Sequence, residues 1–550
     1  MKKNRWIITG TASLLLVAVG AYFWTMGLIT SLENYRSLLH DTPPAPAAPL
    51  GWEENSPTRR VVFILVDGLR DDISRNAEVM PALNQLRAQG ASATSHSQTP
   101  SYSAPGYSVI NIGAWPYLSD GPAMNLDYEL TPTWTQDNLF SAAHRAGLKT
   151  AISGYYWFEK LIPQEDVDAS FYTPEEDDAA DRAVVDAALP WLKSGDYQFL
   201  FIHLDQVDYA GHYEGGPQDP RWDAAAGRVD AYINEIVTEL DLELDTVIIT
   251  SDHGHIDRGG HGGHEEIVLT EPLILAGAGI APGEYPDTQM IDFAPTIAAL
   301  LGTNIPATSQ GEVLFDMLTL TPKQKSAVES ALDTQQRLLH STFIEAFGGE
   351  ALPIREDMGV VTGTEFAIDA MLLQNESDQR HTGFTIPLIF GIFPAYALFR
   401  VWNKKFAWLL GSAIIYIALY NFRYAILDHQ VYSMSSLVGA EKLIVYNAST
   451  VSVAFGTTWL ILMLKLEVFK KGVRETIETT LLLTVITLWL LLLPVLWHTA
   501  VNGMTVSWLL PNFPIMFRAF LSLVQAIMIP IIGILLVGVG AIISKIQKSS

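Results

Sequence analysis

Six apolar stretches bracket the polar segment 29–383, and each is long enough to cross a bilayer as a helix. This constrains the fold more than any other feature, because a backbone in lipid must satisfy its own hydrogen bonds and does so as helices. One stretch is N-terminal, WIITGTASLLLVAVGAYFWTMGL at 6–28; five others lie at about 384–400, 406–422, 443–464, 477–497 and 519–543. Lys2, Lys3 and Arg5 precede the first and favour a cytoplasmic N-terminus. A cleaved signal peptide is the rival reading; the run is long for one and no small-x-small cleavage site comes after it, so an anchor is expected. Alternating spans then put three connections inside, those carrying Arg400, Lys404 and Lys405, then Lys465, Lys470, Lys471 and Arg474, then Lys545 and Lys548. All three are the basic ones, as the positive-inside rule requires, which leaves 29–383 on the outer face, whether periplasmic, extracellular or lumenal. Trp402, Trp408 and Trp497 near span ends read as interfacial anchors.

Charge divides the chain in the same place. From residue 385 onward there are five Asp or Glu and twelve Lys or Arg, against 54 and 22 before it. So acidic a front excludes bulk electrostatic binding of a nucleic acid polymer. Cysteine is absent, which removes disulfides, thiolate metal sites and cysteine nucleophiles. The expected organisation is an anchor at 1–29, a Pro/Ala-rich linker at 30–57, a catalytic domain at 58–320, a helical connection at 321–383 and a multi-span membrane domain at 384–550. No protein partner is inferable.

Within 58–320 the near-continuous apolar runs VVFILV (61–66), FLFIHL (199–204) and TVIIT (246–250) read as parallel strands buried on both faces. Helical patterns at 135–147, 221–240 and 290–301 lie among them, which predicts an α/β domain with a central, mostly parallel sheet flanked by helices. Ligands of such sheets gather beyond the carboxyl ends of strands. The first run ends in Asp67, a metal ligand or a plain turn cap. The second leads into HLDQVDYAGHYEGG, where Asp208 and His212 are four apart and share a face if the segment turns helical; His203 and Asp205 stand nearby. The third leads into TSDHGHIDRGGHGGHEE, with Asp252 and His253 at the strand end and then His255, His261 and His264 among glycines, a density that points to metal. In QTPSYSAPGYSVINIG, Ser103 with Pro105 two residues later reads as a helix N-terminus. A serine there caps the helix, or aims its oxygen and the helix's positive end at a phosphate.

Together, an Asp at the first strand end, a Ser at a helix start, D-x-x-G-H (208–212), S-D-H-G (251–254) and a later G-x-H resemble the alkaline phosphatase superfamily. The nearest likeness is to the type I phosphodiesterases/nucleotide pyrophosphatases and to the ethanolamine-phosphate transferases of glycolipid anchor synthesis. IDFAPTIAALLGTNIPATSQG (291–311) looks like the superfamily's closing segment, and the likeness covers about 58–315. It implies two zinc ions, with manganese or another divalent metal as the alternative: one held by Asp208, His212 and His261 rather than His264, the other by Asp67, Asp252, His253 and the oxygen of Ser103. It implies a serine nucleophile, a phosphoserine intermediate, and Asn125 as a contact to a phosphoryl oxygen. Two departures loosen the substrate reading: the phosphodiesterases usually carry threonine where this chain has Ser103, and Pro-Asn-His where it has Pro105-Gly106-Tyr107.

Ser103-Ala104-Pro105 also echoes the sulfatases, whose motif needs an arginine shortly afterwards; Tyr107 stands there, which speaks against sulfate esters. The expected activity is metal-dependent phosphodiester hydrolysis or phosphotransfer on a membrane-proximal or lipid-linked substrate, since hydrolysis of soluble diesters needs no more than one anchor. A phosphoethanolamine-type transferase between lipids is the alternative, and a catalytically silent scaffold is the alternative of another class. Seven candidate metal-site side chains all present argue against the scaffold. Arg423, Asp428 and His429, in the predicted outer loop 423–442, either meet a headgroup or are ordinary interfacial residues.

Overall fold

The computed structural model describes residues 5–52, 56–348, 350–383, 388–392, 396, 403–436 and 439–549. The chain forms two compact units, one of 1–31, 376–506 and 511–550, the other of 32–375 with 507–510.

The second unit is built on a nine-stranded sheet: β1 (Arg60–Val66), β2 (Ala91–His96), β3 (Thr150–Tyr155), β4 (Ala169–Thr173), β5 (Phe199–Leu204), β6 (Asp245–Thr250), β7 (Thr270–Gly277), β8 (Gly283–Glu284) and β9 (Thr288–Gln289). Its order is β4-β3-β5-β1-β6-β7-β2-β8, with β9 also on β2. β1 lies parallel between β5 and β6, Val66 opposite Leu204 and Leu65 opposite Thr250, while β7 runs antiparallel to both β6 and β2. Every residue of β1, β5 and β6 is buried, which is why these strands read as unbroken apolar runs rather than alternations. Val62 and Ile64 face a layer containing Val185, Trp222 and Ile233; Phe63 and Leu65 face one containing Ile110, Phe140 and Ile297. The expected helical patterns appear as helices Leu139–Arg145, Pro220–Thr238 and Phe293–Leu301. Leu39, in the Pro/Ala-rich approach to the sheet, is fully buried in this core, as are Val328, Leu339 and Phe343 of the helix Pro322–Phe347.

In the first unit, five helices among the described residues are long and apolar enough to cross a membrane: Thr9–Glu33, Lys404–Leu427, Lys442–Lys465, Val473–Asn502 and Phe513–Gln547. They fit a membrane protein. The expected span at 384–400 and Trp402 lie for the most part outside the described residues. The last two helices pack closely because Gly533 and Gly540 present bare backbone: an added Cβ would come within 2.5 Å of Thr484 and 2.7 Å of Thr476. Arg423 and Asp428 pair with each other at 3.2 Å.

Candidate active site

The carboxyl ends of β1, β5 and β6 are neighbours, so the residues just past them in the chain meet in space. Asp67 comes directly after β1, Asp205 after β5, and Ser251-Asp252-His253 after β6. Gly68, at φ +71, turns the chain away in a conformation that disfavours side chains, and a Cβ there would lie 2.8 Å from His255 Nε2. After β5 the chain does turn helical, over Gln206–Tyr213. Asp181, buried on the helix Asp178–Ser194, accepts from Asp205 N at 2.7 Å and Gln206 N at 3.3 Å and so fixes where that helix starts. One turn on, Asp208 and His212 share a face, with Oδ2 and Nε2 3.4 Å apart.

Ser103 opens the helix Ser103–Ile112, every residue of which is buried. Gly106 permits this approach, since a Cβ there would stand 2.9 Å from Asp252 Cβ. Ser103 Oγ lies 3.2 Å from His253 Nε2 and accepts from Asn125 Nδ2 at 3.3 Å. Asn125 is oriented by Ala104 N, which donates to its Oδ1 at 3.0 Å. The amides of this helix start are therefore engaged: Ala104 N by Asn125, Gly106 N by Tyr102 O at 3.0 Å, and Pro105 has none. What the helix turns toward an anion is its dipole rather than these N–H groups.

Two imidazoles define the rest. His253 Nδ1 faces Gly254 O at 3.2 Å and His261 Nδ1 faces Ser101 O at 3.1 Å, so each Nδ1 carries the proton and donates it. Burial lowers the first to about 4 and holds the second well below the ordinary histidine value, so both rings are neutral at pH 7. Each Nε2 lone pair therefore points into carboxylate oxygens. His253 Nε2 is 3.3 Å from Asp67 Oδ1 and 3.4 Å from Asp252 Oδ2; His261 Nε2 is 3.4 Å from Asp208 Oδ1 and 2.9 Å from His212 Nε2. Lone pairs converging on carboxylates repel unless a cation stands among them. Asp67 Oδ1 and Asp252 Oδ2 are buried without any hydrogen-bond partner, a costly state for a carboxylate that a metal would relieve. The donor set thus fits divalent ions, in two groups that share no residue, Asp208/His212/His261 and Asp67/Asp252/His253, with Asp208/His253/His255 and Asp67/His203/Asp205 also within reach of one another.

The surrounding groups are tuned to them. Burial alone would raise the Asp208 carboxyl, but His212 beside it and the hydrogen bond from His255 outweigh it and hold Asp208 well below the carboxylate range. Burial, with Asp67 and Asp208 close by, pushes Asp252 well above that range unless a cation is bound, and a divalent ion among these oxygens would restore its carboxylate form. His255 is a supporting residue: Gly260 N donates to its Nδ1 at 3.0 Å, so its Nε2 carries the proton and donates to Asp208 Oδ1 at 2.8 Å. Tyr107 and His203 support Asp67 likewise, both on Oδ2: the phenol donates to it, and His203 Nε2 lies 3.0 Å away. His264, by contrast, is exposed and joins none of these groups. Sequence reasoning gave no role to Tyr107 or Asp181 and left His203 and His255 as undifferentiated histidines.

Residues 61–269 match the family described as type I phosphodiesterase/nucleotide pyrophosphatase. Human GPI ethanolamine phosphate transferase 2, catalytic subunit, is 28% identical over 320 residues, covering 54% of this chain and 32% of that protein. The human GPI ethanolamine phosphate transferase 3 catalytic subunit is 26% identical over 342 residues, 55% of this chain and 31% of that protein. The chain thus spans about a third of the length of these curated relatives. Among solved structures, murine ectonucleotide pyrophosphatase/phosphodiesterase 5 has 13% sequence identity and a TM-score of 0.36, over 45% of this chain and 96% of that one.

Proposed function

We propose that this chain is a metal-dependent phosphotransferase acting on a phosphodiester that is lipid-linked or lies close to the membrane, with Ser103 as nucleophile. The observation that carries the reading is the convergence of Ser103 Oγ, the His253 lone pair and the partnerless oxygens of Asp67 and Asp252. Asp208, His212 and His261 would hold one divalent ion and Asp67, Asp252, His253 and Ser103 a second; zinc suits this mix of His and Asp. Such ions supply a hydroxyl of lowered pKa and charge stabilisation for phosphoryl and leaving oxygens.

Ser103 Oγ attacks phosphorus in line; the Oγ–P bond forms, the bond to one ester oxygen breaks, and the alcohol departs with a proton. Asn125, held by Ala104 N, turns its Nδ2 toward the Ser103 oxygen and the phosphoryl group it receives. The phosphoserine then passes its group to water or to an acceptor alcohol by the reverse displacement. Tyr107, His203 and His255 keep the Asp67 and Asp208 carboxylates in place. Basic inside connections support a cytoplasmic N-terminus with 29–383 on the other side.

A second reading, transfer of an ethanolamine phosphate group between lipids, is supported by the names of the human relatives. Purified protein, with Ser103→Ala as control, would be given a phosphodiester and a phosphomonoester, with and without zinc. Zinc-dependent diester cleavage that vanishes in the variant is expected. Turnover only when a lipid alcohol is added would favour the transferase reading, and absence of bound metal after zinc loading would overturn both.

A further inference from the structure

A cavity of about 330 Å³ opens within the membrane unit between the helices Lys404–Asn421, Val473–Asn502 and Phe513–Ser549. Its walls are mainly apolar, with Leu490, Leu491, Pro494 and Leu521 among them, and Arg518 lies on its lining. That size falls at the lower end of the range of small-molecule pockets. Arg518 is the sixth residue of its helix, so at 1.5 Å per residue it sits roughly 8 Å beyond the helix's first residue, within two turns of that end of the span.

Arg518 is exposed on this lining, and near the end of a span a long basic side chain reaches toward lipid headgroups. Here no carboxylate among the described residues pairs with it, and its nearest aromatic contact is the Tyr432 ring, 6.0 Å from Cζ. The lining tyrosines and amides are matched with one another or with neighbours, and Ser522 adds a neutral hydroxyl. Tyr432 donates to Asn421 Oδ1, Tyr420 to Asn447 Oδ1 at 2.6 Å, and Gln525 accepts from Tyr416 at 2.7 Å. The cavity therefore offers one unmatched charge, a cation, beside an apolar slot.

We propose that this cavity binds an anionic phospholipid, its phosphate on Arg518 and part of an acyl chain in the slot lined by Leu490, Leu491, Pro494 and Leu521. A planar guanidinium recognises a phosphate through paired N–H donors. No carboxylate among the described residues lines the cavity, so the ammonium of a zwitterionic headgroup would find no partner there. The cavity's occupancy does not depend on Ser103 chemistry, and the two stand or fall separately.

The test is native mass spectrometry of the full chain released from bilayer discs holding equal phosphatidylglycerol and phosphatidylcholine. One retained phosphatidylglycerol per protein, favoured roughly tenfold over phosphatidylcholine, is expected. Arg518→Gln loses the preference, Arg518→Lys keeps part of it, and Leu491→Trp, which fills the slot and spares the cation, loses retention; unchanged unfolding temperatures show that the variants are folded. Ser103→Ala retains the lipid. Equal retention of both lipids by the wild type, or an undiminished preference in Arg518→Gln, overturns the proposal, as does displacement of the lipid by inorganic phosphate alone.

Discussion

Ala104 N donates to Asn125 Oδ1 at 3.0 Å, and this turns Asn125 Nδ2 onto Ser103 Oγ at 3.3 Å. The amide cannot be flipped without setting two N–H donors against each other, so its donor end is aimed by the backbone. A donor fixed in this way against a phosphoryl oxygen is worth far more than one that must reorganise. Asn125→Ala should lower kcat/KM about 10²-fold while bound metal, measured by elemental analysis, stays unchanged. Loss of metal with loss of activity would show instead that Asn125 holds the site together.

His255 and His264 look alike in sequence, and the structure separates them. His255 donates to Asp208, whereas His264 is exposed. Removing a residue that orients a ligating carboxylate typically costs about 10–100-fold in metal affinity. His255→Ala should weaken zinc binding by about that factor in a competition titration, and His264→Ala should leave it unchanged.

These two histidines show where sequence ran out. Strand ends are a one-dimensional signal: an apolar run stops and Asp67, Asp252 or His253 comes next, so the gathering of those residues could be anticipated from chain order. Asp208 and His212 needed only helical spacing. The support could not be read this way. Whether a histidine offers a lone pair or a proton is decided by its other nitrogen, by Gly260 N for His255 and Ser101 O for His261, and those partners come from folding. Tyr107 and His203 meet at Asp67 from three separate segments. Asn125 rested on resemblance alone, and Arg518 was one cation within an apolar span, with no spacing to mark it.

Asp292, which is not among the proposed metal ligands, gives the unit 32–375 a pH dependence of its own. Burial pushes its carboxyl up to about 7, although Gln289 N and Glu312 N donate to it at 2.9 and 2.8 Å. A carboxyl raised on folding favours the folded state while neutral. That contribution is complete below about pH 4 and is lost as pH rises through about 7, an effect of up to a few kcal/mol. Thermal unfolding should show stability falling between about pH 4 and 7 and levelling off above that, and Asp292→Asn should flatten that part of the slope whatever it does to the absolute value. An identical slope in the variant would assign the dependence to other groups.

Gly106 is the contact through which the Ser103 helix is set against the Asp252 loop, which is proposed to hold metal. An alanine Cβ would stand 2.9 Å from Asp252 Cβ and 3.2 Å from Asp252 O, closer than real carbons approach, and neither atom is the free end of a flexible chain. One side must give by some tenths of an ångström, and both sides carry residues of the proposed mechanism: Ser103 three residues before, Asp252 itself across the contact. Alanine is otherwise the better helix former, by about 1 kcal/mol at an interior position, so a purely local account predicts stabilisation. Displacing reacting groups by an ångström can cost about 10²-fold in rate. Gly106→Ala should therefore cut kcat/KM by between ten- and a hundredfold, with unfolding temperature little changed as the helix gain offsets the strain. Wild-type kinetics in a folded Gly106→Ala protein would mean that the helix can recede without carrying Ser103 from its place, and that the close approach belongs to packing rather than to catalysis.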